Sequence, residues 1–262
     1  MSNKSKEPRV LFLDIETSPI KGYTWTIYDA NVLKVIEPSK IICVAWKWLG
    51  EKTVTCKSLI DYPNYKAGVL NDEKLVKDVW AVLDEADVII AHNGDSFDLK
   101  KLNSRFIAHN LSAPSIYKTI DTLKTSRKLF KFESNSLDAL GKYLHEGQKE
   151  HTGGFDLWDQ CINGDKNSWL RMKIYNTQDI VLLENIYLRL RPFIADHPNL
   201  NVISKAKGGS VSEVSCPSCQ SSKVTKRGSS VTRQGIRQRY QCNDCGSWSS
   251  GALHFTKDVG LV

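Results

Sequence analysis

Val10-Leu11-Phe12-Leu13-Asp14-Ile15-Glu16 is an apolar run that ends in two carboxylates. Apolarity over most of its length predicts a buried strand rather than one half exposed to solvent. Side chains at i and i+2 of a strand share a face, so Asp14 and Glu16 project together, about 7 Å apart along the chain. Two carboxylates on one face repel each other and are costly to desolvate, and a divalent cation between them removes that cost. Alone, the pair reads more readily as an exposed acidic turn.

Working outward, residues 40–49 and 53–59 flank Gly50-Glu51-Lys52 and predict a hairpin. Asn71 is placed to cap a helix whose apolar positions are Leu75, Val76, Val79, Trp80 and Leu83. Residues 87–91 predict a short strand, 97–109 a helix, 120–121 the end of another strand and 136–144 a further helix. The polar stretch 145–167 shows no periodicity. Trp169, Met172, Ile174, Ile180, Leu183, Ile186, Leu188 and Leu190 then follow one long helix that ends before Pro192. This order predicts an α/β domain with a mixed sheet flanked by helices.

Two further segments carry carboxylates. In His92-Asn93-Gly94-Asp95-Ser96-Phe97-Asp98, Gly94 suits a tight strand-to-helix turn. Asp95 fits the helix cap, and Asp98 falls in the first turn. In Tyr175-Asn176-Thr177-Gln178-Asp179, Tyr175 and Asp179 are four residues apart and share a helix face. Aspartate is a poor choice inside an otherwise apolar helix. Each segment taken singly also fits an ordinary surface role.

Taken in order, Asp-x-Glu, Asn-Gly-x-x-Phe-Asp and Tyr-x-x-x-Asp resemble the DEDD exonucleases, the DnaQ-like family with an RNase H-like fold. Tyr175 four residues before Asp179 resembles the tyrosine (DEDDy) branch. The histidine branch places His five residues before that Asp, where this chain has Ile174. The resemblance spans residues 9–195 and implies a 3′–5′ exonuclease whose catalytic residues are Asp14, Glu16, Asp98, Tyr175 and Asp179. It implies two Mg²⁺ (or Mn²⁺) ions held by Asp14, Glu16, Asp98 and Asp179, with Asp14 bridging both. Oxygen donors without a nearby Cys or His cluster also suit such hard cations better than zinc. By the same resemblance Tyr175 orients the attacking water or holds the phosphate, and Asn93 and Phe97 pack on or contact the terminal nucleotide. Tyr23, Trp25 and Tyr28, after Glu16, either stack on bases or pack down on the surface. Lys149, His151 and Trp158 are candidates for the substrate rim.

Cys216-Pro-Ser-Cys219 and Cys242-Asn-Asp-Cys245 form C-x2-C-x22-C-x2-C, the ligand pattern of a structural Zn²⁺ ribbon. So small a segment has too little apolar surface to fold without the metal. The sequence from Gln238 to Gly246 resembles the ribbons of insertion-element transposases. Lys226, Arg227, Arg233, Arg237 and Arg239, interleaved with polar residues, suit contacts to a phosphate backbone. The alternative is a ribbon that only docks on the body or on a partner protein. Cys43, Cys56 and Cys161 read as packed thiols.

Charge follows this division. Residues 203–262 hold nine Lys/Arg and three Asp/Glu, a balance of +6, out of a total of +7 for the 262-residue chain. A basic tail on a near-neutral body suits a polyanion-binding module, or simply a solubilising one. No apolar stretch is long enough to span a bilayer, and residues 1–8 lack the apolar core of a secretion signal. The expectation is a cytoplasmic protein with no membrane association. Its divisions are a polar tail (1–8), an RNase H-like exonuclease domain (9–202), a linker (203–214) and a zinc-ribbon module (215–262). The expected activity is hydrolysis of DNA from 3′ ends, with DNA favoured over RNA and a possible polymerase, repair or replication partner. Exoribonuclease activity on the same body, or a non-catalytic nucleic-acid-binding protein, are the alternatives.

Overall fold

A computed structural model of the chain describes residues 6–28, 30–149, 153–212 and 214–254. His151, most of the expected N-terminal tail (1–5) and the last residues of the expected ribbon module (255–262) lie outside the described residues.

The apolar run forms β1 (Val10–Thr17), the central strand of a five-stranded sheet. On one side it pairs antiparallel with β4 (Ile41–Trp48), which pairs antiparallel with β5 (Thr55–Ser58), the hairpin expected around Gly50. On the other side it pairs parallel with β6 (Val88–Ala91), which pairs parallel with β7 (Lys118–Asp121). The order β5-β4-β1-β6-β7 is a mixed sheet. Between β1 and β4 the chain forms a separate two-stranded hairpin, β2 (Lys21–Tyr23) and β3 (Lys34–Glu37).

Alternation along β1 divides the core into two layers. Leu11, Leu13 and Ile15 pack with Leu75, Val79 and Leu83 of α1 (Glu73–Glu85) and with Leu102 and Phe106 of α2 (Asp98–Ala108). Val10 and Phe12 pack with Leu137 and Leu140 of α4 (Leu137–Leu144), which follows α3 (Thr122–Leu129). The helix α6 (Lys166–Leu190) serves both layers: Trp169 and Met172 join the first, and Ile180, Leu183, Ile186 and Tyr187 join the second. Its middle, carrying Tyr175, Asn176 and Asp179, lies over the face of the sheet that carries Asp14 and Glu16, where Asn176 bonds Asp14 and Glu184 pairs with Lys47. Asp14 and Glu16 share the Phe12 side of β1, and the β1–β4 register breaks between Glu16 and Thr17. Bulges of this kind re-aim side chains where a strand leaves its sheet.

Several elements differ from expectation. The stretch 145–167 contains α5 (Phe155–Ile162), which buries Leu157 and Cys161 in the first layer. Eight residues cannot hold a helix alone in water, so its packing supplies what its local sequence lacks. Asp72, not Asn71, occupies the cap of α1; the Asn71 side chain instead accepts the Glu73 amide at 3.1 Å. Asp72 turns its carboxylate inward, accepting from Arg105 at 2.7 and 2.8 Å and from the Ile41 amide at 3.1 Å. A further helix, α7 (Leu200–Ala206), crosses position 203.

The C-terminal segment is a three-stranded antiparallel sheet, β8 (Val224–Thr232), β9 (Gly235–Cys242) and β10 (Trp248–His254), with β9 in the middle. It is tied to the body where the Leu200 amide donates to the Pro217 carbonyl at 2.8 Å and Asn201 Nδ2 donates to the Ser215 carbonyl at 3.1 Å. Among the described residues no helix is long and apolar enough to cross a membrane.

Candidate active site and thiolate centre

Where β1 ends beneath the middle of α6, carboxylate oxygens of Asp14, Glu16 and Asp179 lie within 4.8 Å of one another. Asp179 is almost wholly buried on the inner face of α6. Beside it Asn176, also buried, donates from Nδ2 to Asp14 Oδ2 at 2.5 Å. Burial lifts all three carboxyls above their ordinary range; repulsion from acidic neighbours in the cluster adds to it at Asp14 and Glu16, while Lys149 opposes it at Asp179. Glu16 is pushed up to about 7 by burial and then by Asp179, against the charge of Lys149 and a hydrogen bond from Trp158. Among the described residues Asp179 Oδ1, buried, has no hydrogen-bond partner.

Asp98 stands next to this triad rather than within it. Its Oδ1 accepts the Ile15 amide at 3.1 Å, between the two acidic residues of β1. Burial pushes it up to about 7, and its charge in turn raises Asp14. The four acidic side chains therefore share one region, three of them in mutual contact range and the fourth held on the strand backbone.

The turn that delivers Asp98 is fixed from outside. Asn93 adopts φ 67°, and a Cβ on Gly94 would come within 2.4 Å of the Ala91 Cβ, so only glycine fits there. Asp121, at the end of β7, accepts the Asn93 amide at 3.0 Å and the Asp95 amide at 3.3 Å while capping α3 through Leu123 and Lys124. Asp95 does not cap α2: Phe97 holds that position without a side-chain cap, and Asp95 pairs with Lys124 at 2.8 Å. Phe97 is 45% exposed, its ring open to solvent beside the site.

Lys149 brings a positive charge to the site. Its Nζ donates to Asp179 Oδ2 at 2.5 Å and to the Tyr175 hydroxyl at 3.0 Å, and its own amide is held by Asp138 at 2.9 Å. The Tyr175 hydroxyl hydrogen-bonds Asp179, and burial pushes its pKa upward, so it is a neutral donor. Trp158 of α5 packs edge-on against Tyr175 with centroids 6.2 Å apart. Outside Lys149 a groove of about 940 Å³ runs between α4 and α6, lined by Lys142, Gln148, Gln178 and Val181 among others. Asn176 and Asp121 carry roles that motif matching does not reveal, although an asparagine on the buried stripe of α6 is itself a signal. Tyr23, Trp25 and Tyr28 do not pack down; they are 63%, 89% and 80% exposed around the β2–β3 hairpin.

The second cluster is sulfur. Ligand atoms of Cys216, Cys219, Cys242 and Cys245 lie within 4.8 Å of one another. Sγ atoms of Cys216 and Cys245, and of Cys219 and Cys242, are 3.6 Å apart. A disulfide needs about 2.05 Å, whereas a tetrahedron with Zn–S bonds of about 2.3 Å has edges near 3.8 Å. The two knuckles match in backbone form. Gln220 donates to Cys216 at 2.8 Å and Gly246 to Cys242 at 3.0 Å, each from a residue with positive φ. Of the basic residues between the knuckles, Lys226, Arg227, Arg233 and Arg239 are exposed, and Arg237 is half-buried with its guanidinium on the Gly251 carbonyl at 3.2 Å.

Comparison with known proteins places this geometry. The DNA polymerase III PolC-type of Ureaplasma parvum serovar 3 (strain ATCC 700970) is 24% identical over 201 residues, covering 69% of this chain. The chain spans about 14% of the length of that relative. The family B DNA polymerase from the hyperthermophilic archaeon Pyrobaculum calidifontis superposes with a TM-score of 0.52 at 16% identity, covering 78% of this chain and 27% of that one, a likeness of fold. The profile of the RNase_H superfamily matches residues 11–191, all of the five-stranded sheet but Val10 and both segments that bring Asp98 and Asp179 to β1. The chain belongs to the RNase H superfamily.

Proposed function

We propose that the chain is a DnaQ-like 3′–5′ exonuclease of the tyrosine DEDD branch that hydrolyses DNA to nucleoside monophosphates in the cytoplasm. The observation that carries this is the convergence of Asp14, Glu16 and Asp179 within 4.8 Å, with Asp98 alongside. Carboxylates whose charged form burial disfavours, one of them with a buried oxygen that no described residue satisfies, fit divalent metal. Asp14, Glu16, Asp98 and Asp179 would hold two Mg²⁺ or Mn²⁺ ions. Bound there, such ions acidify a water and stabilise charge on the phosphate and the departing 3′ oxygen.

The remaining groups bind and orient. Lys149 places a positive charge beside Asp179 and Tyr175, where a phosphate oxygen is drawn in. Tyr175, neutral and hydrogen-bonded on both sides, orients a water or phosphate oxygen rather than removing a proton. Asn176 fixes the rotamer of Asp14. Asn93 and Phe97, on the turn before α2, face the terminal nucleotide. The four thiols would hold one Zn²⁺, and the basic ribbon grips the substrate through Lys226, Arg227, Arg233, Arg237 and Arg239. The DNA preference rests on the transposase-like ribbon and on the sequence relative that is a DNA polymerase III, which also makes a replication or repair partner reasonable.

A Mg²⁺ titration with 5′-labelled single-stranded DNA and RNA of one sequence tests this. The expected result is metal-dependent stepwise shortening from the 3′ end, faster on DNA, and none by Asp14→Ala, which still binds substrate. Shortening by Asp14→Ala at the wild-type rate would sink the assignment. Faster shortening of RNA would make the enzyme an exoribonuclease.

A further inference from the structure

Resting on the reading of the ribbon as the substrate-gripping module, we infer that the ribbon's Trp248–Arg239 face binds unpaired nucleic acid by stacking a base on Trp248. Three observations on the C-terminal sheet carry it.

The first is register. Gln241 of β9 stands opposite both Thr225 of β8 and Trp248 of β10, and Arg239 stands opposite Ser250. By the two-residue period of a strand, Arg237, Arg239 and Gln241 share one face, and Trp248 lies on that same face. The second is exposure. Trp248 is 51% exposed, which leaves a large aromatic surface open on the sheet. The Arg239 guanidinium lies 5.8 Å from its ring centroid, so the indole is already flanked by a positive charge. The third is charge. Between residues 214 and 254 there are six Lys/Arg and one acid, Asp244, which sits in the second knuckle engaged by Ser221 at 2.6 Å and Lys223 at 3.3 Å. Nothing acidic on the strands opposes a phosphate chain.

The pairing of a flat aromatic with guanidinium groups on one sheet face separates two classes of nucleic acid. A duplex hides its base faces, so it can meet this surface only through phosphates. A single strand offers a base face to Trp248 and phosphates to Arg239 and Arg237 together. The face is thus suited to holding the single strand that a 3′ exonuclease consumes.

The test uses the full chain carrying Asp14→Ala to stop turnover, with fluorescence anisotropy of a labelled oligothymidylate and a labelled blunt duplex. Trp248→Ala is expected to weaken oligothymidylate binding roughly five- to a hundredfold and to leave duplex binding unchanged. Arg239→Ala weakens both and flattens the salt dependence. Trp248→Phe keeps the single-strand affinity. Should Trp248→Ala lose its zinc, Trp248→Leu keeps an apolar side chain there without an aromatic stacking surface and must show the same selective loss. Equal losses on the two probes, or no loss with either, overturn the inference while leaving the ribbon reading intact so long as Arg239→Ala still weakens both. If the arginine substitutions, singly and together, change neither probe, the ribbon reading itself fails, and the face is open to a protein partner instead.

Discussion

The backbone amide of Ile15 donates to Asp98 Oδ1 at 3.1 Å, joining residues 83 apart in sequence. That bond inserts the start of α2 between the two acidic residues of β1, so one carboxylate both anchors the site and belongs to it. The two duties separate by mutation. Asp98→Asn keeps an acceptor for Ile15 and should fold with near wild-type stability, yet lose nearly all cleavage. Asp98→Ala leaves a buried amide unpaired and should cost a further 1–3 kcal/mol or so. Denaturant melts beside cleavage assays check this; equal melts for the two variants would contradict the anchoring role.

Lys149 neutralises Asp179 from a loop whose amide is tied to Asp138. Lys149→Met should cut turnover at least tenfold while leaving substrate binding by the ribbon intact. The readout is kcat against Kd, and a change in Kd alone would place Lys149 outside the reacting centre.

Gly94 allows the turn to pass Ala91 at a separation no Cβ tolerates. Gly94→Ala must push the turn outward, at a cost of about 1–3 kcal/mol. Because that turn carries both Asn93 and Asp98, activity should fall by more than the loss of folded protein explains. Cleavage measured per folded molecule, with the folded fraction from near-UV circular dichroism, tests the point.

Cys242→Ser removes one corner of the thiol tetrahedron. Bound zinc should drop from about one equivalent to near none. Capture of long substrates should weaken markedly, while short oligonucleotides at high concentration are still cut. Unchanged affinity for long substrates would contradict the gripping role given to the ribbon.

Asp72 gives a pH signature separate from the acidic cluster. Burial pushes its carboxyl up, but hydrogen bonds from Arg105, His109 and the Ile41 amide outweigh that and hold it below the usual carboxylate range. A depressed native pKa contributes stability that is present above the unfolded value of about 3.9 and is lost as pH falls through the native one. Acid melts of the wild type should therefore show an added loss below about pH 4 that Asp72→Asn lacks. At neutral pH Asp72→Asn should cost several kcal/mol, on the order of 3–5, because Arg105 loses its buried partner.

Much of this was legible in the sequence because it depends on local pattern. β1, the β4–β5 hairpin, α2 and α6 follow from runs and periods, and the thiol cluster from spacing alone. The acidic cluster became legible only through the order of three segments, since each alone fits a surface role. What stayed hidden depends on tertiary contact. The helix α5 is too short to stand without α6 beneath it, and its Phe155, Leu157, Trp158 and Cys161 look like a polar loop once diluted by neighbouring glycines. Asp121 reads as the end of a strand, and nothing local shows that its carboxylate reaches the amides of Asn93 and Asp95. Exposure is equally unreadable: Trp25 and Trp169 look alike in sequence, but the first is 89% open and the second is fully enclosed.

The helix that carries Asp179 is also the beam on which the C-terminal sheet rests. From Asp179 to Leu190 is roughly 16 Å of unbroken α-helix, after which the chain turns at Pro192, against which Gly246 of the second knuckle packs. Shortening or lengthening that span means breaking helical hydrogen bonds. If the acidic cluster cuts and the basic sheet grips, as proposed, the two would act as the jaws of a calliper whose gap this helix sets. A nucleic-acid end shorter than the gap can be held by only one jaw at a time, so grip should be lost at a set remnant length as digestion proceeds.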